Sequence, residues 1–161
     1  MKQTVQMREI QERMRPGVIT RDGFLGTDRR NLSDIIQEQN AEVLRLGLTH
    51  GQIAARLEEF RQAGTEGLGD SVDVRPHFQV SVDIARGKLP CPFGHRGLIR
   101  KTTVQVKNLK TGGKINYTDM TIHLIGEHGF YQGKGSPYHL EIRDIVEVLE
   151  VAPAGSDRTN R

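Results

Sequence analysis

The sequence predicts an α+β fold in which an N-terminal αα-hairpin packs on a small antiparallel sheet, with further C-terminal helices. Three observations lead to this prediction. Apolar residues recur at three- and four-residue spacing through residues 1–66, which is the period of an amphipathic helix. Within residues 72–151, two segments instead alternate apolar and polar residues, as half-buried strands do. Thr49 and Gln52 form a capping-box pattern, which marks a helix start.

Three helices are predicted in the first half of the chain. A short helix covers residues 4–14 and ends before a Pro-Gly pair. The second begins at Asn31, with an acidic residue three positions later that completes a capping pattern, and Gly47 stops it. The third runs from the Thr49 cap towards Gly64. The tight turn between the last two makes them an αα-hairpin.

The second half of the chain predicts strands joined by a hairpin. Residues 78–82 alternate apolar and polar side chains, and so do residues 102–108. The segment 110–113 (KTGG) is a turn signal, and 114–117 is predicted as the partner strand. Residues 87–98 contain two prolines and are predicted as an ordered loop.

Two further helices are predicted towards the C-terminus. Residues 119–128 alternate apolar residues like a strand, yet Thr118 can cap a helix and Gly129 can end it, so we favour a helix. Residues 142–149 keep helical apolar spacing. Residues 152–161 are predicted to form a polar, flexible tail.

Length, composition and the single cysteine narrow the class of protein. A chain of 161 residues suits one domain, which we assign to residues 1–151. With Cys91 alone, no intrachain disulfide can form, which argues against a secreted disulfide scaffold and favours a cytoplasmic protein. No segment approaches the ~20 apolar residues that a membrane helix needs, so no membrane association is expected. The sequence does not indicate the oligomeric state.

Histidines concentrate on the C-terminal side of the single cysteine. Zinc takes three or four Cys, His, Asp or Glu ligands around a tetrahedron, and these side chains supply them. No C-x-x-C or H-E-x-x-H signature is present, so the prediction of zinc depends on ligand count alone, and hydrogen-bonded or surface histidines are the alternative. The candidate ligands are Cys91, His95, His123, His128 and His139.

A catalytic role for such a metal requires a base. If residues 119–128 form a helix, His123 and Glu127 share a face, whereas His128 stands about 140° further round and needs the helix end to join them. A zinc ion with an open coordination position activates water, and Glu127 is then the candidate general base of a hydrolase.

The charge distribution predicts an anionic partner. From Ile84 to Thr118 there are eight basic residues and no acidic one. The Gly-rich loop around Lys134 can cradle an anion, and Tyr131 and Tyr138 flank it, where they could stack on a ring. The charged candidates for this site are Arg86, Lys88, Arg96, Arg100, Lys101 and Lys134.

Three functions therefore remain open from the sequence. The first is a binding protein for an anionic small molecule or nucleic acid, with its site within residues 86–139. The second is a zinc-dependent hydrolase that uses the Cys/His cluster of residues 91–139. The third is a structural or protein-interaction domain whose helices and hairpin only present a surface.

Overall fold

A computed structural model describes residues 3–153, and most of the predicted tail, residues 154–161, lies outside this range. Within it, five helices and a four-stranded antiparallel sheet form the predicted α+β architecture. None of these helices is both long and apolar enough to span a membrane. The helices are α1 (Val5–Arg13), α2 (Leu32–Arg45), α3 (His50–Thr65), α4 (Asp119–His128) and α5 (Ile142–Leu149). The strands are β1 (Val72–Val74), β2 (Phe78–Pro90), β3 (Leu98–Asn108) and β4 (Lys114–Thr118).

The strands lie in the sheet in chain order, β1-β2-β3-β4, and every neighbouring pair is antiparallel. The predicted hairpin between β3 and β4 is confirmed, with the Gly112 amide bonded to the Asn108 carbonyl at 2.8 Å. β1 was not predicted, because three residues are too few to show an alternating pattern. It pairs along the edge of β2.

The two central strands are longer than predicted and form an arm beyond the main core. Lys88 pairs with Arg100, and Pro90 pairs with Leu98, after a bulge in which residues 85–87 face a single residue of β3. The predicted loop 87–98 is therefore wrong at both ends, and the loop covers only 91–97. Glycine and proline suggested irregular backbone, but cross-strand pairing continues through the segment. We call residues 84–90 and 98–102 the β2–β3 arm.

The first hydrophobic core lies between one face of the sheet and helices α3 and α5. Alternating valines of β2 and β3 supply the sheet side, and the Tyr117 hydroxyl donates to the Leu57 carbonyl at 2.7 Å. Gly64 lets α3 approach closely, because a Cβ there would lie 2.6 Å from side-chain atoms of Val80 and Val82. The predicted αα-hairpin thus packs on the sheet mainly through its second helix.

A second, smaller core joins α1, α2 and α4 to the end of the arm. It is formed by apolar residues from all three helices and by Phe24, Cys91 and Phe130 from the connecting segments. Leu89 and Ile99, which are cross-strand partners on the arm, pack against it. The arm is therefore held by the second core, although it extends past the first.

The predicted caps of α2 and α4 had different outcomes in the structure. Thr118 and Thr121 form a reciprocal capping box, and Gly129 ends α4 at φ 61°, so the predicted helix is confirmed. Asn31 occupies the N-cap position of α2, but it makes no side-chain cap bond. Instead, α1 caps α2: the Leu32 amide donates to Gln11 Oε1 at 3.1 Å. The predicted local cap is thus replaced by a tertiary one.

A buried glutamine of α2 joins this helix to the segment that follows α4. The Tyr131 amide donates to Gln39 Oε1 at 2.9 Å, and Gln39 Nε2 donates to the Gln132 carbonyl at 3.0 Å. The Gln132 carbonyl also lies 3.0 Å from His139 Nδ1. Gln39 is therefore the partner that keeps the buried Tyr131 amide satisfied.

Replacing Gln39 tests whether its hydrogen bonds to residues 131 and 132, which we call the Gln39 clamp, stabilise the fold. Gln39→Met keeps the side-chain length but leaves the Tyr131 amide buried without an acceptor, so we expect the free energy of unfolding to fall by about 1–3 kcal/mol. Urea denaturation measures it. Gln37→Met is the matched control, since Gln37 is exposed on the same helix and should change stability by less than about 0.5 kcal/mol. Equal effects of the two substitutions would contradict the clamp.

Candidate metal centre

Loop 91–97 and the C-terminal half of α4 bring four ligand-type side chains together. Cys91 and His95 come from the loop at the end of the β2–β3 arm, and His123 and His128 come from α4. The loop turns back at once, because the Gly94 amide donates to the Cys91 carbonyl at 3.0 Å. Gly94 has a φ of 88°, a conformation that other residues rarely adopt.

The distances within this group fit a small metal ion. Ligand atoms of Cys91, His123 and His128 all lie within 4.8 Å of one another. Cys91 Sγ is 3.5 Å from His128 Nε2. Ligands on a tetrahedral zinc stand roughly 3.3–3.8 Å apart, given Zn–N and Zn–S bonds of about 2.0–2.1 and 2.3 Å. The sulfur–nitrogen pair already has that separation.

His95 lies beside this group on the exposed side, although it is not among the residues whose ligand atoms all lie within 4.8 Å of one another. Its ring centroid lies 5.0 Å from that of His123 and 4.6 Å from that of His128. The two α4 rings are themselves 5.3 Å apart. The three imidazole rings are therefore neighbours, and three of the four ligand candidates are at least partly shielded from water.

The thiol of Cys91 is buried and receives a hydrogen bond from the chain. The Phe93 amide donates to Cys91 Sγ at 3.4 Å, an arrangement that stabilises negative charge on sulfur. Cys91 is 3% exposed and belongs to the second core. At such a buried position sulfur is either a protonated thiol or a thiolate paired with a cation, because burial of an unpaired charge is costly.

The two histidines of α4 are held in place by packing. Phe93 stacks on His128 with centroids 4.0 Å apart and planes 7° from parallel. His123 Nε2 is buried and has no hydrogen-bond partner among the described residues. An unsatisfied buried ring nitrogen is uncommon in proteins, and a metal ion is one way to satisfy it.

Burial keeps the α4 imidazoles neutral near pH 7. Desolvation lowers the pKa of His123, and the positive charge that His95 can carry lowers it further. The same causes, burial first and then His95 and His123, lower the pKa of His128 to about 4. Neutral imidazole is the form that binds a metal, so no proton has to leave these rings at neutral pH.

Of the other two residues predicted for the metal chemistry, His139 is bonded elsewhere, whereas Glu127 is next to His128 in α4. His139 places Nδ1 3.0 Å from the Gln132 carbonyl and Nε2 3.0 Å from Glu141 Oε1, which occupies both ring nitrogens. Glu127 is exposed and makes no hydrogen bond or ion pair within residues 3–153. It is close enough for its charge to raise the pKa of His128 slightly against the lowering by burial.

The residues predicted to bind an anion do not all lie in one place. Arg100, Lys101 and Tyr138 line one cavity together. Tyr131 does not reach the surface: it is 1% exposed, and its hydroxyl lies 2.8 Å from His50 Nδ1. Lys134 is exposed beside Glu38, Glu42 and Glu141, on a different depression of the surface. Arg86, Lys88 and Arg96 are exposed along or beside the arm.

Two supporting residues were not predicted. Arg13 of α1 donates from Nε to the Pro92 carbonyl at 2.7 Å and thereby anchors the loop. Phe93 orients His128 by stacking. Arg13 gives no local sequence signal, because its partner lies 79 positions away along the chain. Phe93 could have been noticed as the aromatic residue between Cys91 and His95.

Comparison with known proteins gives no family. No family model matches the chain, no curated protein is similar to it, and no solved structure matches its fold. Function must therefore be argued from the site itself.

The lowered pKa of His128 predicts how pH affects metal-free protein. In the unfolded chain His128 binds a proton near pH 6.5, whereas in the folded chain it does so only near pH 4. The unfolded state therefore holds more protons between these two pH values. The free energy of unfolding is therefore expected to fall as pH decreases from 6.5 to 4. Urea titrations of EDTA-treated protein across this range measure the fall. His128→Gln should make it smaller, and an unchanged pH dependence would contradict the burial of this ring.

Proposed function

We propose that this protein binds one zinc ion through Cys91, His95, His123 and His128, and that the ion is a structural centre joining loop 91–97 to α4. The observation that carries the proposal is the convergence of the Cys91, His123 and His128 ligand atoms within 4.8 Å. The buried Nε2 of His123, which has no hydrogen-bond partner within residues 3–153, supports it further, because a metal would satisfy this atom.

The donor set favours zinc over other common divalent ions. Calcium and magnesium prefer oxygen ligands, whereas the converging donors are one sulfur and two ring nitrogens, with the His95 ring beside them. Zinc binds thiolate and imidazole together in tetrahedral sites. Copper and nickel also accept these ligands, but they favour square-planar arrangements.

With His95 as the fourth ligand the proposed site would be closed, which is the usual arrangement for structural zinc. Cys91 directly follows the β2–β3 arm, and the two α4 histidines belong to the helix that the arm packs against, so the ion would crosslink segments 37 positions apart. Binding to the folded state alone stabilises it by mass action. The metal would therefore stabilise the end of the arm and the small second core.

Zinc binding is tested by titration with a competing chromophoric chelator. We expect one zinc per chain, together with a higher melting temperature in zinc than in EDTA. Cys91→Ser, His123→Gln and His128→Gln should each weaken zinc by more than about 100-fold, which exceeds the effect of losing a partner of a ligand.

His139→Gln is the matched control for these variants. It also removes a partly buried histidine, but one whose two nitrogens are already bonded outside the cluster. Its zinc affinity should equal that of the unaltered protein. Substoichiometric metal in the unaltered protein, or equal losses in His139→Gln and His128→Gln, would contradict the proposed site.

His95 decides between a structural and a catalytic centre. If His95 is the fourth ligand, His95→Ala should weaken zinc about tenfold or more and change the visible absorption of the Co²⁺-substituted protein. Glu127→Gln should leave both properties unchanged. If His95→Ala instead retains full affinity and an unaltered Co²⁺ spectrum, the fourth position is open to water. The hydrolase alternative, with Glu127 as base, then replaces the structural proposal.

A further inference from the structure

A separate cavity of about 280 Å³ lies beside the β2–β3 arm. The arm forms one wall, and the segments 20–24 and 132–138 form others. Phe24, Leu89 and Met120 give it an apolar lining, and the first of these is 4% exposed. The volume is just below the roughly 300–1,000 Å³ of sites for drug-sized ligands, so the cavity suits one ring system with a small substituent.

Two basic residues without an ion pair in the described part of the chain line this cavity. Arg100 and Lys101 both line it, both are exposed, and neither makes an ion pair within residues 3–153. The end of the Lys101 side chain, from Cδ to Nζ, lies over Gly87, where a Cβ would be 3.6–3.8 Å from it. Asp22 is the one acidic residue of the described lining. The cavity therefore combines an apolar interior with a net positive charge.

The basic surface continues from the cavity along the arm. Lys88 is the direct cross-strand partner of Arg100, and like charges placed opposite each other destabilise a sheet. Arg86 lies in the bulge, and Arg96 lies in the loop at the end of the arm. No acidic residue occurs anywhere from Ile84 to Thr118 to offset them. A bound polyanion would compensate this repulsion.

Tyr138 supplies an aromatic surface at the same place. It is 36% exposed and lines the cavity together with Arg100 and Lys101. An exposed tyrosine next to an apolar recess is suited to stacking on a planar ring, and stacking on nucleobases is tolerant of sequence.

We infer that this cavity binds a nucleotide, with the base between Tyr138 and the apolar lining, the phosphate at Arg100 and Lys101, and any adjoining phosphates along the basic arm. The ligand chemistry is a planar heterocycle that carries a phosphate. It can come from a free mononucleotide or from one unit of a single strand. The continuation of positive charge to Arg86 and Lys88 favours the strand. This inference is independent of the zinc proposal, because none of the four proposed ligands lines the cavity.

The inference is tested by fluorescence anisotropy with 5′-labelled single-stranded oligonucleotides at low salt. The double variant Arg100→Gln/Lys101→Gln should lose about tenfold or more in affinity. The slope of log affinity against log salt should become shallower by about 0.7 for each phosphate that the variant no longer neutralises. Tyr138→Ala should lose about fivefold or more, and Tyr138→Phe should restore most of that loss, because stacking needs only the ring.

The matched control is Lys107→Gln/Lys114→Gln. These two lysines are also exposed and directly opposite each other in the same sheet, but they are not among the residues that line the cavity. Their removal should cost clearly less affinity than that of Arg100 and Lys101. Melting temperatures confirm that every variant is folded.

Calorimetry with a mononucleotide distinguishes a free nucleotide from a single strand as the ligand. Comparable binding of mononucleotide and oligonucleotide identifies a free nucleotide as the ligand, whereas tight binding of the oligonucleotide alone identifies a single strand. Binding of neither overturns the inference. It is also overturned if the control double variant loses as much affinity as Arg100→Gln/Lys101→Gln, or if Tyr138→Ala binds as tightly as the unaltered protein.

Discussion

The pairing of β2 with β3 is the interaction on which the rest of the structure depends. At one end, the valines of these strands form the sheet side of the first core. At the other end, the same ladder continues past a bulge to Pro90 and Leu98, where Leu89 and Ile99 enter the second core. The ladder therefore sets the position of loop 91–97 relative to α4, and it also forms a wall of the cavity.

The second core is small, and the candidate metal centre lies at its edge. Cys91 is both a member of this core and a candidate ligand, so a zinc ion would add a crosslink where apolar burial alone is limited. Arg13 and Phe93 support the same region from α1 and from the loop. These contacts bring the ligand atoms together, which reduces the conformational cost of binding a metal.

Electrostatics connects the metal centre with the cavity. A zinc ion held by one thiolate and three neutral imidazoles would carry a net charge of +1, because only the sulfur offsets the ion. That charge would add to the basic residues on the β2–β3 arm, including Lys88 and Arg100. Structural metal and anion binding are thus compatible on one arm, although they use different residues. The uncompensated charge also lowers the stability of the arm, which makes anchorage at its end more important.

Local signals in the sequence determined much of the fold. The Thr49 and Thr118 caps, the glycine stops and the change from helical to alternating period place most helices and strands, because each depends on neighbours a few residues away. The candidate ligands and the acid-free stretch from Ile84 to Thr118 were also readable in the chain. Only tertiary structure decided which of these residues meet. It placed Cys91 beside His128 and gave His139 and Tyr131 other hydrogen-bond partners. It also capped α2 with Gln11 and extended the arm through a segment predicted as a loop. Each of these outcomes depends on partners distant in sequence, whose approach is set by packing and strand register rather than by local residue preference.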